Sequence, residues 1–246
     1  MFFRSRLALS LLFVVVAVVC ARLGLWQVSR LRERRAANAV AAQARAAPPI
    51  DLDRIDQEPS LAGRRARVRG RYDHAHDIVV WGREFQGVPG VELVSPLVLE
   101  GDSTAVLIDR GFIPSPDAVT IVADSFREPG RRAVEGLAVP IASGRGMPLT
   151  REGRTTWARL DYAALRALLP YRVSSFSILQ SPDSAERGFP RRQPAPTLDD
   201  GPHLSYAIQW FAFTVIALVF AGVMARPQSG AAAPPTRRAA ARRAAR

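Results

Sequence analysis

The sequence predicts a membrane protein in which two transmembrane α-helices flank an extracytoplasmic antiparallel β-rich (α+β) domain. Three observations lead there. Apolar stretches lie near both ends, one from Leu7 to about Leu25 and one from His203 to Met224. Each approaches the roughly 20 residues that a helix needs to cross a hydrocarbon core. Between them, short runs of apolar and β-branched residues are punctuated by glycine and proline, as strands separated by turns require.

The elements follow in order. Residues 1–6 form a short cytoplasmic N-terminus carrying Arg4 and Arg6, and residues 7–28 form the first transmembrane helix. A charged start before an apolar run also suits a signal peptide, and Val19-Cys20-Ala21 offers small residues for a cut. The run exceeds a usual signal core, so the segment is expected to remain as an anchor. From 29 to 47, alanine and arginine without a breaker before Pro48-Pro49 predict that the helix continues out of the membrane.

Residues 48–202 are expected to form the extracytoplasmic domain, ending in a proline-rich return loop, Ser181 to Pro202. Arg65, Arg67 and Arg69 alternate with Ala66, Val68 and Gly70, the period of a half-buried strand. Further strands are predicted at Ile78–Trp81, Val91–Leu99 (with Pro96 inside it), Ala105–Asp109, Val134–Val139, Thr155–Leu160 and Val173–Leu179. Asp161 reads as an N-cap for a short helix from Tyr162 to Leu169, stopped by Pro170. Residues 203–224 form the second transmembrane helix, and 225–246, rich in Ala, Pro and Arg, a disordered basic cytoplasmic tail.

Arginine counts set the expected orientation. Arg4 and Arg6 lie before the first span, and Arg226 and five more arginines follow the second. Both termini are therefore placed in the cytoplasm. Arg30, Arg32, Arg34 and Arg35 conflict with this, since they follow the first span on the side assigned to the domain. A large translocated domain overrides such a cluster.

Composition excludes several functions. The net charge of +12 does not describe a nucleic-acid binder: acidic residues are interspersed through the domain, and no basic groove interleaved with aromatics occurs. The single cysteine, Cys20, permits neither an intrachain disulfide nor a dithiol copper site. Nucleophile elbows, zinc-protease helices, phosphate-binding loops and dinucleotide fingerprints are all missing, so no catalytic residues are assigned and no enzyme is expected. His74 and His76, flanked by Asp73 and Asp77, read as an exposed polar turn, because two histidines without a third ligand make a poor metal site.

The chemistry-bearing residues gather at the membrane boundary. His203, Tyr206 and Trp210, spaced by three and seven, fall on one helical face. An aromatic belt accounts for tyrosine and tryptophan at headgroup level but does not account for the histidine. On the first span Trp26 shares a face with Arg30, and Gln27 shares one with Gly24. A glycine there allows close helix approach, and Gln27 is expected to bond across to the second span, at Tyr206 or Gln209.

Four blocks carry a resemblance. They are Leu23-Gly24-Leu25-Trp26-Gln27-Val28-Ser29-Arg30, Arg64 to Tyr72, Val106-Leu107-Ile108-Asp109-Arg110-Gly111-Phe112-Ile113-Pro114, and His203-Leu204-Ser205-Tyr206-Ala207-Ile208-Gln209-Trp210-Phe211. In this order, and with both spans, the chain resembles the Surfeit locus protein 1 family of cytochrome c oxidase assembly factors over about residues 7 to 224. It departs from the family pattern at Phe112, where tryptophan is usual, and at Asp109, where asparagine is usual. The resemblance implies a non-enzymatic factor of the cell inner (plasma) membrane that helps insert haem a, bound transiently, into the catalytic subunit of a haem-copper oxidase. It implies His203 as the haem-iron ligand, with Tyr206, Trp210, Trp26 and Gln27 around the cofactor. The implied partners are the oxidase catalytic subunit and the membrane, with haem a synthase a further candidate and no nucleic acid. The alternative is a cofactor-free membrane scaffold or chaperone that steadies the nascent oxidase subunit.

Overall fold

The computed structural model describes residues 2–52, 61–100, 103–144, 146–151, 154–183 and 188–226. The tail expected to be disordered lies, from residue 227 onward, outside the described residues. The chain divides into two compact units, Met1–Ala36 with Asp200–Arg246, and Ala37–Asp199.

The first unit is a helical pair. Helix α1 spans Phe2–Ala46, with its residues beyond Ala36 belonging to the second unit, and the last helix, α3, spans His203–Ala225. Both are long and apolar enough to cross a membrane. They pair in opposite directions: the Ser10 hydroxyl donates to the Ala221 carbonyl at 2.9 Å, and Phe13 stacks on Phe220 at 5.4 Å. The seam on α1 runs Ser10, Phe13, Ala17, Cys20, Gly24, Gln27, Leu31, and on α3 His203, Ala207, Trp210, Thr214, Ala217, Ala221, Met224. These positions alternate steps of three and four, the 3.5-residue period of a left-handed coiled pair. Small residues dominate the seam and let the backbones approach. A Cβ added at Gly24 would lie 2.7 Å from the Phe211 ring. The outer surface carries the large apolar side chains, among them Leu11, Val15, Leu25, Ile208, Val215 and Phe220. Small residues inside and large ones outside suit a hydrocarbon surround.

The second unit is β-rich. Strands β1 (Ile50–Leu52), β2 (Arg65–Tyr72), β3 (Ile78–Phe85), β4 (Val88–Leu99), β5 (Thr104–Pro114), β6 (Arg131–Pro140), β7 (Pro148–Arg151), β8 (Arg154–Trp157) and β9 (Arg172–Gln180) form one sheet in the order β1-β2-β6-β9-β5-β4-β3-β8-β7. Because β2 also pairs with β4, the strands β2-β6-β9-β5-β4 close on themselves into a small barrel. Its interior follows the period of two: Ala66 and Val68, Leu97 and Leu99, Val106 and Ile108, Val134 and Ala138, and Phe176 and Ile178 are all buried together. Outside it, Trp157, Ile78, Val80, Leu107 and Val173 pack against Leu165 of helix α2, Tyr162–Leu168. The predicted cap is present, the Asp161 carboxylate accepting from the Ala164 N–H at 3.1 Å.

Two expectations need correction. The sheet is mixed, not antiparallel: β1–β2, β3–β8 and β5–β9 run parallel. In the last case, the long passage through β6–β8 and α2 supplies the crossover that parallel neighbours need. Strand periodicity carries no information about direction. The His74–His76 turn, a single 3-10 turn, is also less exposed than expected. The His74 ring accepts from the Glu128 N–H at 3.0 Å through Nε2 and meets Asp77 at 3.1 Å through Nδ1, so both nitrogens are engaged. The side chains of His74 and Asp77 are only 13% and 5% exposed.

Pro96 sits comfortably inside β4 for a specific reason. On one edge of that strand, residues up to Val94 pair with β3 and residues from Leu97 onward pair with β2. The proline falls in the gap between partners, where a missing N–H costs no ladder bond.

Candidate functional site

The strongest candidate lies at the end of the helical seam where α3 begins. Gln27 is an amide in an otherwise apolar stretch, and a buried amide in such a setting needs a partner. It finds His203: Nδ1 of the ring lies 2.9 Å from the Gln27 side-chain oxygen. Since that oxygen can only accept, Nδ1 carries the proton, and Nε2 is left with its lone pair. Gly201, at φ +68°, lies beside that edge of the ring; a Cβ there would be 3.7 Å from Nε2. Gly201 and His203 line an open depression of about 430 Å³ together with Arg30, Glu33 and Arg34.

Of the other predicted residues, Trp210 lies on the seam two turns inside His203, in edge-on contact with Phe213 at 6.0 Å. Tyr206 does not share that face. Position 207 occupies the seam instead, leaving Tyr206 46% exposed on the outer surface. A helix packed at a period of 3.5 selects 203, 207 and 210, and a spacing of three from His203 falls to one side. Trp26 is also turned outward, 54% exposed. The structure thus joins His203 and Gln27 directly, aligns Trp210 with them along the seam, and leaves Tyr206 and Trp26 as outward aromatics. The partner of Gln27 is His203, not Tyr206 or Gln209. The Arg30–Glu33 pair at 2.7 Å and Arg34 complete the surroundings. From the sequence Arg30 is placed only on a face with Trp26 and in the arginine cluster after the first span; the signal for its place at the site is that Gln27, Leu31 and Arg34 continue the spacing of the seam beyond the first residue of α3.

The β domain holds a separate polar centre, also unassigned from sequence. The register between β4 and β5 slips between the Leu93–Gly111 and Val94–Asp109 pairs, so Arg110 is the extra residue of a β-bulge. Its side chain is fully buried. The guanidinium lies over the Tyr72 ring at 4.9 Å, donates to Ser95 Oγ at 3.3 Å and pairs with Glu128 at 2.6 Å. Arg192 reaches the same Glu128 oxygen at 2.8 Å. Partial burial disfavours the Glu128 anion, but the hydrogen bonds and charges of Arg110 and then Arg192 prevail and hold its carboxyl below the usual range. Ser95 in turn donates to Asp77, the partner of His74. These groups bond chiefly to one another, although the Arg110 Nε is buried without a hydrogen-bond partner, and the arrangement reads as a structural network.

Asp109, beside the bulge, behaves oppositely. Burial first, and the neighbouring Glu92 second, push its carboxyl up to about 7, against the opposing hydrogen bond from the Gly111 N–H and the charge of Arg83. A pKa raised on folding gives stability that is complete below the unfolded value and is lost as pH rises through 7. Asp109→Asn keeps the acceptor for Gly111 and removes the ionisation. The stability gap between variant and parent should therefore widen by about 1–2 kcal/mol from pH 5 to pH 8, a fraction of the ~1.4 kcal/mol per pH unit available. Thermal unfolding of both proteins across that range checks it, and parallel pH profiles would contradict it.

A closed barrel domain inserted in sequence between two apolar helices that pair along a small-residue seam defines the class: a helical pair whose connection folds as a β domain, with a histidine–glutamine pair at one end of the seam. The model of the SURF1 family matches residues 14–215, and the chain belongs to that family. It is similar to a SURF1-like protein of Monosiga brevicollis, 27% identical over 91% of this chain and 91% of that protein. A SURF1-like protein of Mycobacterium bovis is 26% identical over 93% and 89% of the two chains. One from Rickettsia felis is 24% identical over 85% and 93%.

Proposed function

We propose that this protein is a non-enzymatic assembly factor for haem-copper cytochrome c oxidase, which holds haem a transiently at His203 and assists its insertion into the catalytic subunit. Membership of the SURF1 family supports the oxidase assignment. The observation that carries the haem assignment is the His203–Gln27 pair, which leaves an imidazole nitrogen with a free lone pair beside an open depression. The residues present fit the cargo. A neutral imidazole is a common axial ligand of haem iron. Outward apolar side chains, among them Leu25, Trp26 and Leu204, offer a wall for a hydrophobic macrocycle. A single protein ligand suits a carrier that must release what it holds. Haem a synthase, as donor, and the oxidase subunit, as acceptor, are the partners this role requires.

In a strain lacking the gene, the oxidase catalytic subunit should be synthesised but should contain little haem a. Haem content per purified catalytic subunit decides this. Full occupancy in the deletion strain would contradict the role, and loss of the subunit itself with full haem in what remains would favour a cofactor-free scaffold.

The same reading places both helices across the inner (plasma) membrane, both termini in the cytoplasm and the domain outside. The apolar outer surface of the helical pair and the arginines at the chain ends support it. Topology reporters fused at Asp124 and after Ala225 should report opposite sides, and reports from one side would contradict the hairpin.

A further inference from the structure

The Arg110-Gly111-Phe112 stretch builds more than a buried network. Gly111 has φ +113°, and a Cβ there would run into the Arg191 carbonyl, so glycine lets the return segment lie directly against β5. Two backbone bonds fix that contact: the Phe112 N–H donates to the Arg191 carbonyl at 3.0 Å, and the Arg191 N–H to the Phe112 carbonyl at 2.7 Å. One residue on, Arg192 donates to the Pro190 carbonyl at 2.7 Å and to Glu128 at 2.8 Å. The buried Phe112 ring meets Phe85, the last residue of β3, at 5.7 Å. Held in this way, the return segment and the end of β3 bound an open trough of about 740 Å³, within the second unit.

We infer that this trough is a docking site for an extended segment of a partner protein in which an acidic residue stands beside apolar ones. The site is independent of His203 and of the haem it is proposed to hold. Its walls are apolar: Phe85, Pro182, Pro190, Pro194 and an exposed Phe189. Prolines bring no N–H, so these walls grip by apolar contact. The polar group offered to a ligand is Arg191. Its exposed side chain lies over the Phe85 ring at 5.0 Å and makes no ion pair among the described residues. Glu128 also lines the trough, but Arg110, Arg192 and, at 3.8 Å, Arg132 already share its carboxylate. A guanidinium resting on an aromatic face is ordered in advance and keeps its in-plane N–H fork for a carboxylate. Charge complementarity therefore asks for an acid, and the walls ask for an apolar neighbour. Small-molecule sites bury most of their ligand, whereas an open trough suits a chain that lies across it.

The test presents the full-length protein, in phosphatidylcholine nanodiscs, to a phage-displayed library of random linear decapeptides, with empty nanodiscs as counter-selection. Enriched peptides should carry Asp or Glu within about three positions of a large apolar residue. The best of them, synthesised with a fluorescent label, should bind about tenfold more weakly to Arg191→Gln, the scale of a lost charge-assisted fork. Arg191→Lys should fall between, because an ammonium neither stacks nor forks in the same way. Phe85→Leu should also weaken the peptide, through loss of the ring that backs the guanidinium. Arg71→Gln, altering an exposed arginine of β2, should leave binding unchanged. The Arg191 side chain is exposed and its backbone bonds survive substitution, so unchanged thermal unfolding of the Arg191 variants serves as the folding check. No enriched peptide, a consensus without acidic residues, or an affinity unmoved in Arg191→Gln would each overturn the site. Decanoate tests the class of occupant. If it displaces the peptide only in large excess, the segment assignment stands; if it competes at equal concentration, the trough takes small apolar acids and the assignment is refuted.

Discussion

Arg110→Met is expected to destabilise the β domain by about 3–5 kcal/mol, the range for breaking a buried ion pair from one side. That is a large share of the 5–15 kcal/mol that hold a typical domain. The side chain is fully buried, and its loss abandons Ser95 Oγ, the face of Tyr72 and one of the three arginines around Glu128. Glu128 keeps Arg192, so the residual carboxylate is not wholly unpaired. Glu128→Gln in the Arg110→Met background should therefore recover part of the loss. Arg110→Lys should fall between, since an ammonium cannot span Ser95 and Glu128 as a planar fork does. Acid acts on the same network: Glu128 has a depressed pKa, so the stability it contributes is present above its unfolded value and is lost as pH falls through the folded one. Denaturant unfolding of the purified proteins, followed by strand circular dichroism, measures all three. A change below about 1 kcal/mol for Arg110→Met would show that the network adds little net stability.

Much of the domain was legible because its residues obey one period. Arg65 to Gly70 alternate cleanly, Asp161 caps as its type prefers, and the strand positions follow apolar runs. What was not legible depends on partners far along the chain. Whether β9 joins β5 parallel is decided by the path between them, and barrel closure by three residue pairs linking β2 to β4. Arg110 was quoted as part of a block, yet only the bulge shows that its charge is interior. Pro96 looked like a flaw in a strand and is the point where one edge changes partner.

At the helical end, the composition of the spans pointed to His203 and Gln27, and the pairing followed from their both lying on the seam. Tyr206 was misplaced because a spacing of three was read as a shared face. Contact between two helices repeats every 3.5 residues, which selects Ala207 in its place. The side chains beyond the end of the seam, Arg30, Glu33 and Arg34, became part of the site only once α3 was seen to begin at His203.

His203→Ala should carry the largest functional effect. The ring lies at the first residue of α3, half-buried, and bonds the Gln27 side chain. Its removal uncovers the otherwise buried Gln27 amide at the end of the helical pair, where water can take the place of the ring as partner, so the helical pair should persist and protein recovery should stay near the parent's. Gln27→Ala should have a smaller effect of the same kind, because the ring keeps its nitrogen but loses the acceptor that fixes its tautomer. His76→Ala, altering a histidine of the β domain that bonds Asp73 at 2.7 Å, provides a control in the same protein.

The most direct measurement is haem co-purified per protein, at equal recovery of folded protein, for the parent, His203→Ala and His76→Ala expressed alongside haem a synthesis. The account predicts a haem a spectrum in the parent and in His76→Ala, and a loss of at least tenfold in His203→Ala. Undiminished haem in His203→Ala, or its loss in His76→Ala, would contradict it.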